Sequence, residues 1–181
     1  VAPTTQLTGE VASPGAQNLQ FKLNPGPNIE NVVRTPLNPA SGVPITVTAD
    51  LSDANGVASA TLSYQIVAPG SFIPARLPLP IVNHNIDTSQ AHTSNPDFEN
   101  PSNWTNVTMH DDGLDGDALA GDGVFTAIVP GQAHRSLVRY RVTATDGLGV
   151  SNRAPFADDL SRNFACFVYN GVPDYQGVSS T

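Results

Sequence analysis

Between residues 110 and 123 the chain reads His110-Asp111-Asp112-Gly113-Leu114-Asp115-Gly116-Asp117-Ala118-Leu119-Ala120-Gly121-Asp122-Gly123, which sets five of its sixteen acidic residues among four glycines. Carboxylates crowded this closely repel one another unless a cation stands among them. Calcium takes six to eight oxygens at about 2.3–2.6 Å, and glycines let a loop turn several carboxylates and carbonyls inward. With Asp111 as position one, Asp115 falls at five, Gly116 at six, Asp117 at seven and Asp122 at twelve, which is part of the EF-hand spacing. The match breaks at position three, Gly113, and at twelve, where aspartate replaces the longer bidentate glutamate. Neither flank has a helical pattern, since 104–109 and 124–129 both read as strands. The expectation is a loop between strands that holds Ca²⁺ through Asp111, Asp112, Asp115, Asp117 and Asp122. The plain alternative is an acidic turn that is simply solvated.

Other reactive groups are sparse. His84 and His92 lack a third ligand at useful spacing for a transition metal. Cys166, the only cysteine, excludes an internal disulfide and lies in the apolar run Phe164-Ala165-Cys166-Phe167-Val168-Tyr169, where it reads as a small core residue. Ser136 follows His134-Arg135 without a nucleophile elbow. The aspartates gather in one flexible loop rather than facing each other across a cleft, so the chain is expected not to be an enzyme.

The elements that must carry the loop are strands. Sixteen prolines and fifteen glycines without a period indicate many turns between short strands, and no segment sustains a 3.6-residue apolar repeat. Strands are expected at 29–35, 44–51, 57–67, 104–109, 123–130, 136–145, 150–153 and 163–169. In 44–51, Ile45, Val47, Ala49 and Leu51 alternate with polar residues, as Val138, Tyr140, Val142 and Ala144 do in 136–145. In 57–67 the inward set reads Ala58, Ala60, Leu62, Tyr64 and Ile66. Residues 68–103 resist assignment: 72–82 suggests an edge hairpin limited by its prolines, and 95–101 an irregular loop. Residues 1–28 read as an extended arm or linker, 29–170 as one domain, and 171–181 as a connection onward. An all-β antiparallel sandwich follows, with an insertion after the third strand.

Net charge is −8 with a single lysine, Lys22, which argues against nucleic acid or an anionic membrane as partner. No apolar run approaches the roughly 20 residues that a membrane helix needs. The chain starts at Val1 and reads as a piece of a longer exported protein, and an extracellular or cell-surface setting would supply calcium to a weak site. Asn103 and Asn106 head formal glycosylation sequons.

Two stretches carry a family resemblance. Asp111-Asp112-Gly113, Gly116-Asp117 and Ala120-Gly121-Asp122-Gly123-Val124-Phe125-Thr126-Ala127, with Leu137-Val138-Arg139-Tyr140-Arg141-Val142-Thr143-Ala144-Thr145-Asp146 after them, resemble the fibronectin type III-like or Ig-like modules of large secreted bacterial proteins. Such proteins often also carry spore-coat-type kinase-like domains, lamin-tail domains and surface anchors. The resemblance covers residues 29–175; 1–28 and 68–103 depart from a minimal module, and no kinase-like activity carries over. Lettering the strands as it implies gives A, B, C, then C′ at 104–109, E, F and G. The B–C turn, the acidic loop and the F–G turn then share one end of the sandwich, where Asp53 or Asn55 and Asp146 would add oxygens to the ion.

Three functional classes follow. The first is a non-enzymatic calcium-stabilised module with a spacing, adhesive or assembly role, whose partners are neighbouring domains or copies of the same chain. The second is a self-assembling filament or surface-layer subunit in which the proline-rich arm adds a strand to the next copy. The third is a carbohydrate-binding module that meets surface glycans through exposed rings among Trp104, Tyr64, Phe72, Tyr169 and Tyr175.

Overall fold

In chain order the strands are β1 (Asn28–Thr35), β2 (Ile45–Ser52), β3 (Val57–Val67), β4 (Ile81–Val82), β5 (Asn85–Ile86), β6 (Thr105–Met109), β7 (Val124–Val129), β8 (Leu137–Asp146), β9 (Ser151–Ala154) and β10 (Phe164–Phe167). The computed structural model describes residues 24–86, 88, 89, 91, 93–159 and 161–172. One sheet has the order β1-β2-β7 and the other β10-β8-β3-β6, with β9 also on β8. Every pairing among them is antiparallel. The strict alternation of β2 and β8 turns Ile45, Val47, Val138 and Val142 inward, and they meet Leu62, Val129 and Val168 in one buried cluster between the sheets. The fold is the expected all-β antiparallel sandwich. No helix among the described residues is long and apolar enough to cross a membrane.

β3 departs from simple alternation at both ends. A register shift between Val57 and Ser59 turns Ala58 out to solvent, contrary to the inward position its spacing suggests. Further along, Ser63, Gln65 and Val67 are buried although they face outward; Gln65 meets the Phe98 carbonyl of the insertion, and Ser63 donates to Asn106 of β6. Instead of an irregular loop at 95–101, Asn95 caps the short helix α1 (Pro96–Glu99), its side chain accepting the Asp97 N–H at 3.0 Å, and Asn100 does the same for a 3-10 turn, Pro101–Asn103. α1 presses Phe98 onto the outer face of the sheet. The Phe98 carbonyl accepts from Gln65 Nε2 and Trp104 Nε1, the Arg139 guanidinium lies 4.9 Å from the Phe98 ring centre, and Arg141 lies 4.0 Å over Trp104 while pairing with Glu99 at 2.7 Å. The edge hairpin is only β4 and β5, beyond Pro74, Pro78 and Pro80.

Residues 1–23 of the expected arm and 173–181 of the expected connection lie outside the described residues. Residues 24–28 belong to the body: Pro27 is fully buried, and Asn152 Nδ2 donates to the carbonyls of Pro25 and Pro27 at 3.0 and 2.9 Å.

Candidate metal centre

The acidic loop springs from a place where strands of opposite sheets touch through their backbones. His110 and Thr126 exchange N–H···O bonds of 2.9 and 2.8 Å, which ties the end of β6 to β7. At the other end of the loop the Gly123 carbonyl accepts the Leu51 N–H of β2 at 2.9 Å. Between these anchors the aspartates fold the chain back on itself. Asp111 Oδ1 accepts the N–H groups of Gly121 and Asp122 at 2.7 and 3.2 Å, and its Oδ2 accepts that of Gly123 at 3.0 Å. Asp117 Oδ2 accepts the Gly113 N–H at 2.6 Å, and the Thr126 hydroxyl stands 3.5 Å from Oδ1. Gly113 makes this turn at φ +72°, and a Cβ there would stand 3.2 Å from the Ala120 nitrogen.

Asp111, Asp117 and Asp122 thereby converge, each offering a carboxylate oxygen within 4.8 Å of the others. Oxygens that share one calcium ion stand no more than about 4.6–5.2 Å apart, a limit the three meet. Asp117 is buried, Asp111 half-buried and Asp122 exposed. Among the described residues no lysine or arginine forms an ion pair with the trio; the ion pairs present are Arg141 with Glu99 and a 3.8 Å contact of His110 with Asp112. A carboxylate as enclosed as Asp117, facing two others, pairs with no lysine or arginine among the described residues. An all-oxygen donor set suits a hard cation rather than a thiolate- or imidazole-seeking one.

The remaining expected ligands stand elsewhere. Asp112 accepts the Leu114 N–H at 3.0 Å in a local turn, and Asp115 sits exposed at φ +50° at the loop tip. The B–C and F–G turns do share the loop's end of the sandwich: Val57 is opposite Asp146, Ala60 opposite Met109, and Asp50 opposite Val124. The two turns touch so closely that a Cβ on Gly147 would stand 2.6 Å from the Asn55 carbonyl oxygen. Asp146, however, is turned into its own turn. Its Oδ1 accepts the N–H groups of Leu148 and Val150 at 2.9 and 2.8 Å, and Oδ2 accepts from the Asn24 side chain. Burial works against its charge, but the hydrogen bonds from Val150, Asn24, Leu148 and Gly149 outweigh it and hold the carboxyl below its usual range. Asp53 Oδ1 likewise accepts the Asn55 N–H at 2.7 Å. These two carboxylates cap turns and do not join the trio.

His84 lies exposed in the β4–β5 turn, and His92 is outside the described residues. Cys166 is buried in the core, which pushes its thiol pKa up. Of the rings considered for sugars, Tyr64 is buried, Trp104 is covered by Arg141, Phe72 and Tyr169 are exposed, and Tyr175 is outside the described residues. The role of Asn24 is missed in the sequence because its partner Asp146 is 122 positions away, and that of Thr126 because its strand pattern does not show that its hydroxyl faces Asp117. A scan against protein-family models finds no match for the chain, and a search of curated proteins finds none significantly similar to it.

Proposed function

We propose that the chain is a non-enzymatic, calcium-stabilised β-sandwich module of a secreted or surface protein, with a spacing, adhesive or assembly role toward neighbouring domains or further copies. The observation that carries this reading is the convergence of Asp111, Asp117 and Asp122 within 4.8 Å, without a cationic side chain among the described residues, in a loop fastened to both sheets. Three carboxylates supply part of a shell of six to eight; glycine-turn carbonyls and water complete it. Calcium suits an irregular loop of this kind better than magnesium, which demands near-ideal octahedral geometry and keeps several of its waters. The ion offsets the mutual repulsion of the aspartates and the entropy of ordering fourteen residues. The grouping of strands A, B and E against C′, C, F and G supports an Ig- or fibronectin-type module.

Isothermal titration of the chelator-stripped protein tests the reading. The expected result is one calcium per chain, with magnesium at least tenfold weaker and Asp117→Asn abolishing uptake. No heat of binding from calcium would leave only the solvated acidic turn.

A further inference from the structure

We infer that Asn170 is a site of self-modification, an asparagine that the fold converts to aspartate and isoaspartate through a cyclic imide. Two asparagines of the chain precede glycine, Asn55 and Asn170, and a glycine leaves the attacking backbone nitrogen without a side chain to hinder it. The structure holds the two in opposite ways.

At Asn170 the carboxamide is held and the nitrogen after it is free. The Ser41 N–H donates to Asn170 Oδ1 at 2.6 Å, the Asn170 N–H donates to His134 Nδ1 at 3.1 Å, and the His134 N–H closes the ring on Ser41 Oγ at 3.1 Å. One residue earlier, the Tyr169 N–H is fastened to the Pro39 carbonyl at 2.9 Å. Gly171 follows at φ +87°, exposed, with no hydrogen-bond partner for its N–H among the described residues and nothing within 4 Å of where a Cβ would stand. The reacting atoms belong to adjacent residues, so the attack is intramolecular and needs no ligand.

Asn55 sits in a closed turn instead. Its N–H donates to Asp53 Oδ1 at 2.7 Å, its Nδ2 to Asn24 Oδ1 at 3.1 Å, and the Gly56 N–H to the Asp53 carbonyl at 3.1 Å. The Gly56 carbonyl accepts the Gly147 N–H at 3.2 Å. The nitrogen that must attack is thus engaged, and no backbone donor among the described residues meets Asn55 Oδ1.

In the reaction, hydroxide takes the Gly171 N–H proton and the nitrogen's electron pair forms a bond to Asn170 Cγ. Negative charge gathers on Oδ1, where the Ser41 N–H stabilises it as an oxyanion donor does. The Cγ–Nδ2 bond then breaks and ammonia leaves with a proton from water. Water opens the imide at either carbonyl, so the net change is amide plus water to acid plus ammonia. Both products place a new negative charge beyond the last strand of the body, and isoaspartate also lengthens the main chain there.

Peptide-resolved mass spectrometry of the folded protein, sampled during incubation at mildly alkaline pH, follows both sites. Asn170 is expected to convert at least about tenfold faster than Asn55, and unfolding in urea is expected to close that gap by releasing the turn around Asn55. Ser41 is the second residue of a turn in which the Val43 N–H donates to the Ala40 carbonyl at 3.1 Å and Gly42 stands at φ +78°, a position that suits proline. Ser41→Pro therefore removes the donor and should slow Asn170 about tenfold, whereas Ser41→Ala keeps the N–H and should stay within about threefold of the parent. Gly171→Ala, at an exposed position, should slow conversion by crowding the nitrogen. The inference is overturned if Asn55 keeps pace with Asn170 in the folded protein, or if a folded Ser41→Pro variant converts as the parent does. A product without isoaspartate overturns it too, because that would be direct hydrolysis.

Discussion

At the scale of single residues, the aspartates divide by what their oxygens face. Asp117 is enclosed and accepts from Gly113 and Thr126, so Asp117→Asn should abolish calcium uptake, read by titration, while in chelator it removes one of three mutually repelling charges and should leave stability in urea unchanged or higher. Asp112→Asn touches only a local turn and should change calcium affinity less than about threefold, within half a kcal/mol. Asp146 predicts a pH effect. Its carboxyl is held below the usual value in the folded chain, so the stability it contributes is fully present above the unfolded pKa of about 3.9 and is lost as pH falls from there through the folded value. Asp146→Asn should therefore flatten the acid limb of the stability curve below about pH 4; an unchanged limb would count against that role. The cluster itself was legible in the sequence, because charge density and glycine content are local. Which three aspartates converge was not: Asp111 and Asp122 meet only because the loop folds back, and Asp146 is diverted by Asn24, 122 positions away.

At the scale of elements, β2 and β8 were readable because each buries one face and exposes or half-exposes the other. β3 was misread where that condition fails, at a bulge that turns Ala58 out and at Ser63, Gln65 and Val67, where its second face is buried too. The helical turns of the insertion carried a signal, since Asn95-Pro96 and Asn100-Pro101 each pair a capping side chain with a proline suited to the first helical position. Nothing local revealed that Phe98 and Trp104 would dock under two arginines of β8. Trp104→Ala removes that contact and the bond to the Phe98 carbonyl, and should cost about 2 kcal/mol in thermal or urea unfolding without altering calcium affinity. Gly113→Ala tests the loop as an element. A side chain at φ +72° should cost about 1–2 kcal/mol and weaken calcium uptake, because the turn that presents Asp117 must shift.

At the scale of the molecule, the loop fastens β6 of one sheet to β7 and β2 of the other, so a metal there is linked to the stability of the whole sandwich. The architecture was legible because alternation and turn spacing specify a two-layer antiparallel fold; the packing of 24–28 was hidden because Pro25-Gly26-Pro27 looks like a linker until Asn152 holds it. An ion that binds only the folded chain, at a hundredfold excess over its dissociation constant, adds about 2.7 kcal/mol. For a body of this size that is a rise of roughly 5–10 °C in melting temperature. The decisive measurement is the melting curve of the chain in saturating calcium against the same protein in chelator. The account predicts a calcium-dependent rise of that order, much reduced in magnesium and absent in Asp117→Asn, and it is contradicted if the calcium and chelator curves coincide.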